Sequence, residues 1–452
     1  MLAVVLLADV LDLIDATLTS LAAPTVTAAL HGRPWLVPWL GTSYALALGS
    51  LLVLGGRVGD RYGRRRIFLV GLSGFTLASL ACGLAWAPVV LVVARVVQGA
   101  FGALLIPQGF GLLTEVFPRD QLGKAFSFFG PVMGLSATGG PVLAGYLLHA
   151  DLFGWGWRAM FLINIILGVL GLMAAAVLLP GGLPDPTVRV DVAGAALLAG
   201  AMLGLLGGLI AGGTGRWSPP VVAVVLAGSA LLTAFVHRQR HTADPLITSS
   251  LFGNRGFVTG LGVGVAYFAV VAGLLYLVSL YLQLDRGYSP VGTALRLAPL
   301  AVGIVLASMA CYRLVGRLGR RLVVLGLLLT ATGTAALLGV VTVRASFTPL
   351  LIACLFVIGL GMGCCFGTIF DIALGDIDPD ETGSASGSLN AVQQLANAAG
   401  SATLATVFLA TTSRHGYTPA MTVGLAIVLA ATLLCFGLSR LLPARAPQDS
   451  HG

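Results

Sequence analysis

Long apolar segments separated by short polar stretches run through the whole chain and constrain its fold more than any other feature. A helix needs about 20 apolar residues to cross the hydrocarbon core of a bilayer. Backbone polar groups inside that core must be bonded within the protein, and an α-helix achieves this by itself. Fourteen segments are long enough, so we predict an all-α polytopic membrane protein with 14 transmembrane helices. The predicted spans are 2–24, 36–55, 66–86, 89–113, 123–148, 158–180, 191–212, 219–236, 257–282, 293–312, 322–343, 347–372, 386–411 and 420–441.

The composition also favours a membrane protein. The chain is 57% hydrophobic and only 9% charged, whereas a soluble domain must cover its surface with many more polar residues. The formal net charge of +8 could indicate a nucleic-acid partner, but the basic residues lie in short stretches between apolar segments. We therefore predict no nucleic-acid binding and attribute the charge to orientation in the membrane.

The sequence contains no pattern typical of an enzyme or a metalloprotein. All six cysteines lie within apolar segments, and the adjacent pair Cys364 and Cys365 lacks the spacing of a metal or redox motif. Outside the predicted spans there is no glycine-rich nucleotide loop, no cluster of metal ligands and no paired nucleophile and base. We predict that the protein is not an enzyme and has no metal and no cofactor.

The stretch Gly56–Phe68 sets the orientation of the chain. It contains five arginines and lies between two predicted spans, so the positive-inside rule places this predicted loop in the cytoplasm. Counting 14 spans from this point puts 17 basic residues on the cytoplasmic side and six outside. Both termini are then predicted to be cytoplasmic, in a multi-pass protein of the plasma (inner) membrane.

The first predicted span contains three aspartates, Asp9, Asp12 and Asp15. A charge at the centre of a bilayer costs about 2.5–3.5 kcal/mol, so three acids in one span need a functional reason. Asp12 and Asp15 share one helical face with Thr19. Carboxyl groups facing an internal cavity can take up and release protons along a gradient, so we predict a proton-coupling role for all three. For Asp9, the alternative is a solvated position at the membrane surface.

The fourth predicted span contains Arg95 and Gln98 on one helical face. An arginine does not lose its proton in a protein, so Arg95 must find an anion or water. We predict that its partners are the aspartates of the first span and that it belongs to the proton-coupling site. The alternative is a side chain that extends to the outer membrane surface. Gln98 is a candidate substrate contact.

Two motifs resemble signatures of a known family of membrane proteins. The stretch Gly56-x-Val58-Gly59-Asp60-Arg61-x-Gly63-Arg64-Arg65 resembles the signature between helices two and three of the major facilitator superfamily. The segment Ile14–Thr17 followed by Ala22–Pro24 resembles the first-helix signature of its fourteen-helix drug:proton antiporters. Those proteins usually have Asn where this chain has Ser20.

The resemblance implies a major facilitator fold with two six-helix bundles and two inserted helices. The longest polar interruptions, Gly181–Asp191 and His237–Arg255, bracket two spans and leave six before and six after. The predicted units are therefore an N-terminal bundle at 1–185, two additional helices at 186–240 and a C-terminal bundle at 241–452. In such carriers each bundle consists of inverted three-helix repeats.

The resemblance also implies a gate at the cytoplasmic end of the bundles. Asp60 is expected to lie against the N-terminus of the helix that starts near Ser386, where free amides and the helix dipole favour an anion. Arg64 is expected to pair with Glu115 at the end of span four. The alternative is that this arginine-rich segment only orients the chain. The residues assigned to gating here are Gly56, Asp60, Gly63, Arg64 and Glu115.

The fifth predicted span is rich in glycine and proline, which predicts a kinkable helix that packs closely on its neighbours. Its Gly140-Pro141-x-x-Ala144-Gly145 resembles the antiporter signature of exporters, with Ala144 in place of the usual glycine. This resemblance assigns Gly140, Pro141 and Gly145 to the conformational change and favours export over uptake. A glycine-rich packing face is the alternative interpretation.

Three polar residues in the C-terminal half are further candidates for substrate contact. Asp371 lies near the cytoplasmic end of span twelve, and Asn390 and Gln394 lie one turn apart in span thirteen. A solvated aspartate at the membrane surface and hydrogen bonds between helices are the alternatives for these positions.

These observations predict a proton-coupled antiporter that exports amphipathic, cationic or aromatic small molecules by alternating access. The expected partners are protons, a small-molecule substrate and the lipid bilayer, and the protein is expected to be a monomer. A proton-coupled symporter of a small metabolite and a transport-inactive membrane sensor of the same fold are the alternatives.

Overall fold

The computed structural model describes the chain from residue 1 to residue 443, apart from several short stretches. The residues outside the description are 33–35, 119–120, 123, 126–127, 130, 133–135, 137–139, 141–142, 144–145, 148–153, 182–190, 214–216, 243–244, 312–313, 344–346, 379–380 and 444–452. The described part of the chain is helical and contains no β-strand.

Long helices account for most of the described residues, and short helical turns lie between some of them. The long helices are α1 (Leu2–Ala29), α2 (Leu36–Tyr62), α3 (Arg64–Gly83), α4 (Pro88–Val116), α5 (Ala159–Leu178), α6 (Val192–Gly213), α7 (Pro219–His241), α8 (Arg255–Leu284), α9 (Pro290–Cys311), α10 (Arg320–Val343), α11 (Phe347–Leu374), α12 (Thr382–His415) and α13 (Tyr417–Leu438). The short turns are Gly156–Arg158, Ser249–Gly253, Val315–Leu318 and Ser439–Leu441.

Eleven helices in the described part of the chain are long and apolar enough to cross a membrane. They are α3 to α13 and correspond to the third, fourth and sixth to fourteenth predicted spans. Helices α1 and α2 coincide with the first two predicted spans, and their 28 and 27 residues make each of them about 40 Å long. The fifth predicted span lies mostly outside the described residues. The prediction of an all-α polytopic membrane protein is confirmed.

The basic stretch predicted as a cytoplasmic loop is almost entirely helical, so the predicted loop was too long. Helix α2 continues to Tyr62 and α3 begins at Arg64, leaving Gly63 as the only residue between them. Gly63 has a φ angle of 93°, a conformation that glycine adopts without the steric cost imposed by a side chain. The chain therefore changes direction at one residue, and the arginines on either side belong to helices.

The helices form two groups, with α6 and α7 packed beside them. In the first group α2 and α3 pack on α4, while α1 contacts α2 and α5. In the second group α9 and α10 pack on α11, while α12 and α13 pack on α8. Helix α6 packs on α7 and also contacts α2 and α12. Direct contact between the groups comes mainly from α12, which lies against α2 and α4. The bounds 1–185, 186–240 and 241–452 stay a prediction.

Candidate functional site

An ion pair between α1 and α4 lies completely inside the first helix group. The Arg95 guanidinium donates to the Asp15 carboxylate, and the two side chains are 0% and 1% exposed. Asn164 of α5 also donates to Asp15. Arg95 lies seven residues after the first residue of α4, Pro88, which is about 10 Å along the helix. Its burial is not compatible with the alternative position at the outer membrane surface.

Gln98 holds both members of this ion pair. Its side-chain amide donates to Asp15 Oδ1 at 3.1 Å and to Ser79 Oγ at 2.7 Å. Its side-chain oxygen accepts from Arg95 Nη1 at 2.6 Å. Gln98 is fully buried and lies in the Asp15 network in this conformation, so its geometry favours a positioning role beside the ion pair.

Asp12 belongs to the same site through Tyr44 of α2. The Tyr44 hydroxyl donates to Asp12 Oδ1, and the Arg95 guanidinium lies 4.5 Å from the centre of the Tyr44 ring. Gly99 makes this arrangement possible, because a methyl group at that position would lie 2.4 Å from the Tyr44 carbonyl oxygen. Asp9 is half-buried, and its Oδ2 has no hydrogen-bond partner among the described residues.

Tyr44, Ser79 and Asn164 were not predicted as site residues. A polar amide inside an apolar span was a signal for Asn164, since such groups are costly in lipid. Tyr44 and Ser79 had no comparable signal, because tyrosine and serine are common in transmembrane helices. Their contacts depend on how α2, α3 and α4 pack.

A second polar cluster lies where α2 meets α3. Arg64 Nη2 is 3.1 Å from Asp60 Oδ1, and Arg64 Nη1 is 3.2 Å from Glu115 Oε1. Arg64 also donates to the Gly111 carbonyl oxygen at 2.8 Å. The structure therefore brings together the three charged residues that the resemblance assigned to gating.

The Asp60 carboxylate lies against the first turn of α12. A methyl group on Gly383 would be 2.3 Å from Asp60 Oδ1. Helix α12 starts at Thr382, four residues before the predicted start near Ser386. An anion at this position is stabilised by the positive end of the helix dipole.

Backbone contact between α2 and α12 joins the two helix groups at the Asp60 end; we call this contact region the clasp. A methyl group at Gly56 would lie 2.0 Å from the Gly383 carbonyl oxygen. Hydrogen bonds reinforce the contact: Ser386 donates to the Pro107 carbonyl at 3.4 Å, and Arg57 donates to the Pro245 carbonyl at 3.2 Å.

A cavity of about 470 Å³ lies within the second helix group, between α8, α9, α11 and α12. Its walls combine aromatic rings with two amide side chains, and none of the described lining residues is charged. The polar and aromatic lining residues are Tyr267, Phe268, Tyr276, Ser279, Phe366, Gln393, Asn397 and Ser401. Mostly apolar walls with a few polar groups are typical of sites for small organic molecules.

The three C-terminal candidates for substrate contact lie outside the lining of this cavity. Asn390 donates to the Ser386 carbonyl oxygen of its own helix at 2.9 Å. Gln394 lies near Gly49 of α2, where its Cβ would be 3.5 Å from an added methyl group. Asp371 is buried near the end of α11. Their roles stay predictions.

Of the fifth-span candidates, Gly140 is helical and buried, whereas Pro141 and Gly145 lie outside the described residues. Among the residues that the structure describes, no group of three or more histidine, cysteine, aspartate or glutamate side chains could hold a metal ion.

Two helix groups joined at one end, with an ion pair buried in one group and a mostly apolar cavity in the other, are typical of membrane transport proteins. The family model described as Major Facilitator Superfamily matches residues 5–401. The chain therefore belongs to the Major Facilitator Superfamily, which confirms the resemblance seen in the sequence.

Several relatives come from Streptomyces. The probable actinorhodin transporter of Streptomyces coelicolor is 41% identical over 90% of this chain and 72% of its own length. The puromycin resistance protein of Streptomyces alboniger is 36% identical over 93% and 85% of the two chains. The tetracenomycin C resistance and export protein of Streptomyces glaucescens is 32% identical over 86% and 72%.

Solved structures of distant relatives share the fold. The human organic anion transporter aligns with a TM-score of 0.68 at 17% identity, covering 97% of this chain and 98% of its own. The proton:xylose symporter aligns with a TM-score of 0.66 at 18% identity, covering 96% and 94%. At this level of identity the likeness concerns the fold alone.

Proposed function

We propose that this protein exports amphipathic drug-like or antibiotic-like molecules across the plasma membrane in exchange for protons, by alternating access. The names of the relatives support export, since they include an antibiotic transporter, resistance proteins and an export protein. The observation that carries proton coupling is the buried ion pair between Asp15 and Arg95.

A proton bound to Asp15 would remove the charge that holds Arg95. A buried charge that loses its partner destabilises its surroundings by about 3–5 kcal/mol. Arg95, Gln98 and Asn164 would therefore have to change partners, and these residues lie on α4 and α5. Protonation of Asp15 would thus trigger a shift of α1 relative to its neighbours.

Asp12 offers a second carboxyl group close to the same arginine. Tyr44 contacts both, because its hydroxyl donates to Asp12 and its ring lies under the Arg95 guanidinium. We propose that Arg95 moves its interaction from Asp15 towards Asp12 when Asp15 is protonated. Release of the Asp15 proton on the other side of the membrane would restore the ion pair between Asp15 and Arg95.

The clasp supplies the gate in this proposal. With the Asp60 end in the cytoplasm, as the basic residues predict, this conformation is closed towards the inside. Opening would separate Gly56 from Gly383 and break the hydrogen bonds of Ser386 and Arg57. Asp60, Arg64 and Glu115 would control that step through the charge at the start of α12.

The cavity in the second helix group is the proposed substrate site. Its tyrosine and phenylalanine rings can stack on planar aromatic groups, while Gln393 and Asn397 can bond to hydroxyl or carbonyl oxygens. The absence of a carboxylate among its described lining residues favours aromatic over cationic substrates at this position. Each proton moving down 100 mV contributes ~2.3 kcal/mol. For a neutral substrate, this supports a concentration ratio of roughly fiftyfold.

The remaining features of the proposal follow the sequence predictions. Both termini lie in the cytoplasm, the protein works as a monomer, and the helix bundles comprise 1–185 and 241–452 with two additional helices at 186–240. Protons and an organic small molecule are its partners in transport.

Transport by the purified protein in inside-out proteoliposomes tests this function. With an acidic interior, we expect an aromatic antibiotic or dye to accumulate inside, and a protonophore to abolish the accumulation. Vesicles without protein provide the background. Accumulation that requires an acidic exterior instead would indicate symport, and accumulation without any proton gradient would contradict proton coupling.

A further inference from the structure

A groove lies between α3 and α4, and none of its lining residues belongs to the clasp or to the lining of the substrate cavity. Its volume is about 630 Å³, and Arg65, Arg66 and Gly181 lie at one end. Apolar side chains of α3, among them Leu69, Val70 and Leu77, form its length. We call it the α3 groove.

The dimensions of the α3 groove match one leaflet of a bilayer. Leu77 lies eleven positions after Arg66, or about 16 Å along the helix, and half of the hydrocarbon core is about 15 Å. Phe101 of α4 lines the groove as well. Gly74 makes room for this ring, since a methyl group there would lie 2.2 Å from it. The exposed fractions of Val70 and Leu77 are 44% and 66%.

Positive charge is concentrated at the mouth of the groove. Arg65 donates to the Ala176 carbonyl oxygen at 2.6 Å, and Arg66 is exposed. Among the described residues, neither side chain forms an ion pair with a carboxylate, in contrast to Arg64. Both arginines lie at the end of α3 that the positive-inside rule places in the cytoplasm.

We propose that the α3 groove binds one anionic phospholipid. Its phosphate would bond to Arg65 and Arg66, and one acyl chain would lie along α3 against Phe101. Basic pockets between helices on the cytoplasmic side are suited to anionic headgroups, and each arginine near the surface strengthens such binding. This site does not depend on the transport function.

Native mass spectrometry of the purified full chain tests the proposal with phosphatidylglycerol and phosphatidylcholine of identical acyl chains. We expect one saturable site that prefers phosphatidylglycerol. The double variant R65Q/R66Q is expected to weaken phosphatidylglycerol binding roughly ten- to thirtyfold. Ser73→Phe fills the groove without changing charge and is expected to weaken the same site.

The charge-matched control is R240Q/R255Q, which removes two exposed arginines from other predicted cytoplasmic helix ends. This control is expected to retain the site. Equal binding of the two lipids by the unmodified protein would overturn the proposal, whether or not the variants fold. Equal weakening by R240Q/R255Q, or displacement of the lipid by inorganic phosphate alone, would also overturn it.

Discussion

Arg95 is the residue whose chemistry most restricts the rest of the first helix group. Its guanidinium keeps its charge in any conformation, so full burial requires an anion nearby. Asp15 supplies that anion, and hydrogen bonds from Arg95 to Gln98 and to the Leu40 carbonyl oxygen occupy other donors. A change in the charge of Asp15 therefore alters the contacts of three helices.

The substitution Asp15→Asn tests this arrangement at the residue scale. It leaves Arg95 buried without an anion, which should cost about 3–5 kcal/mol of stability. The double variant Asp15→Asn with Arg95→Gln should recover most of that stability. Transport driven by a pH gradient should fall to the level of empty vesicles in both variants.

Thermal unfolding and proteoliposome transport, measured on the same variants, separate the loss of stability from the loss of transport. Asp285→Asn is the matched control, because Asp285 also pairs with an arginine, Arg286, at 3.2 Å but lies outside the membrane spans. It should transport normally. Gradient-driven transport by the double variant would rule out the proton-coupling role of Asp15.

Helix α6 shows how one capping residue joins two elements. Asp191 precedes its first turn and accepts from the Gly194 backbone amide at 2.9 Å, as an N-cap does. The same carboxylate is 2.8 Å from Arg238 Nη2 near the end of α7. Hydrogen bonds from Arg238 hold the pKa of Asp191 below its ordinary value. The charge thus ties α6 and α7 together at one end.

The pH dependence of Asp191→Asn tests this link at the element scale. A depressed pKa in the folded state stabilises the protein above the unfolded-state pKa of about 3.9. That stabilisation is lost as the pH falls through the lower folded-state value. Asparagine keeps the cap and removes the charge. We therefore expect a lower melting temperature than the parent protein at neutral pH, with the difference disappearing in strong acid.

Melting temperatures across the pH range provide the measurement. Arg240→Gln is the control, since Arg240 is exposed on the same helix, and it should not change the melting temperature. A difference in melting temperature between Asp191→Asn and the parent protein that persists unchanged in strong acid would refute the charge-dependent link between α6 and α7.

At the scale of the whole molecule, α12 supplies most of the direct contact between the two helix groups, and the clasp is part of that contact. It contacts α2 and α4 of the first group while packing on α8 of its own. Glycines allow both contacts. A methyl group at Gly400 would lie 2.0 Å from the Ala269 carbonyl oxygen, and a methyl group at Gly56 would lie 2.0 Å from the Gly383 carbonyl oxygen. The contact of α12 with α8 and its contact with α2 thus both depend on a glycine that lets two backbones approach closely.

A bulky side chain in the clasp should force the groups apart. In Gly56→Leu, the new Cβ would lie 2.0 Å from the Gly383 carbonyl oxygen, so α2 and α12 cannot keep their present distance. Ser384 is fully buried beside this contact. We expect a cysteine in place of Ser384 to react several times faster with a membrane-impermeant thiol reagent in inside-out vesicles when Gly56→Leu is present.

Gly262→Leu is the matched control, because a side chain at Gly262 meets no atom within 4 Å. Labelling of the chain without the introduced cysteine measures the background from the six native cysteines, all of which are buried. If Gly56→Leu leaves the labelling rate at the control value, the clasp does not gate access from this side.

Hydropathy and charge along the chain were enough to predict the all-α membrane fold, most span positions and the acidic face of α1. Partition into lipid depends on each segment by itself, so these properties can be read locally. The loop around Gly63 was predicted too long, because a helix can carry arginines beyond the bilayer and a single glycine can reverse the chain.

Pairing between distant side chains required the packed helices. Asp15 meets Arg95 from 80 positions away and Asn164 from 149, and Tyr44 contacts both Asp12 and Arg95. The aromatic cavity draws on four helices, none of which has a readable motif for it. The difference between what the sequence determined and what required the tertiary structure has a physical cause. Entry into the membrane is governed by the apolar surface of one helix, whereas a site depends on the angles and distances at which several helices pack.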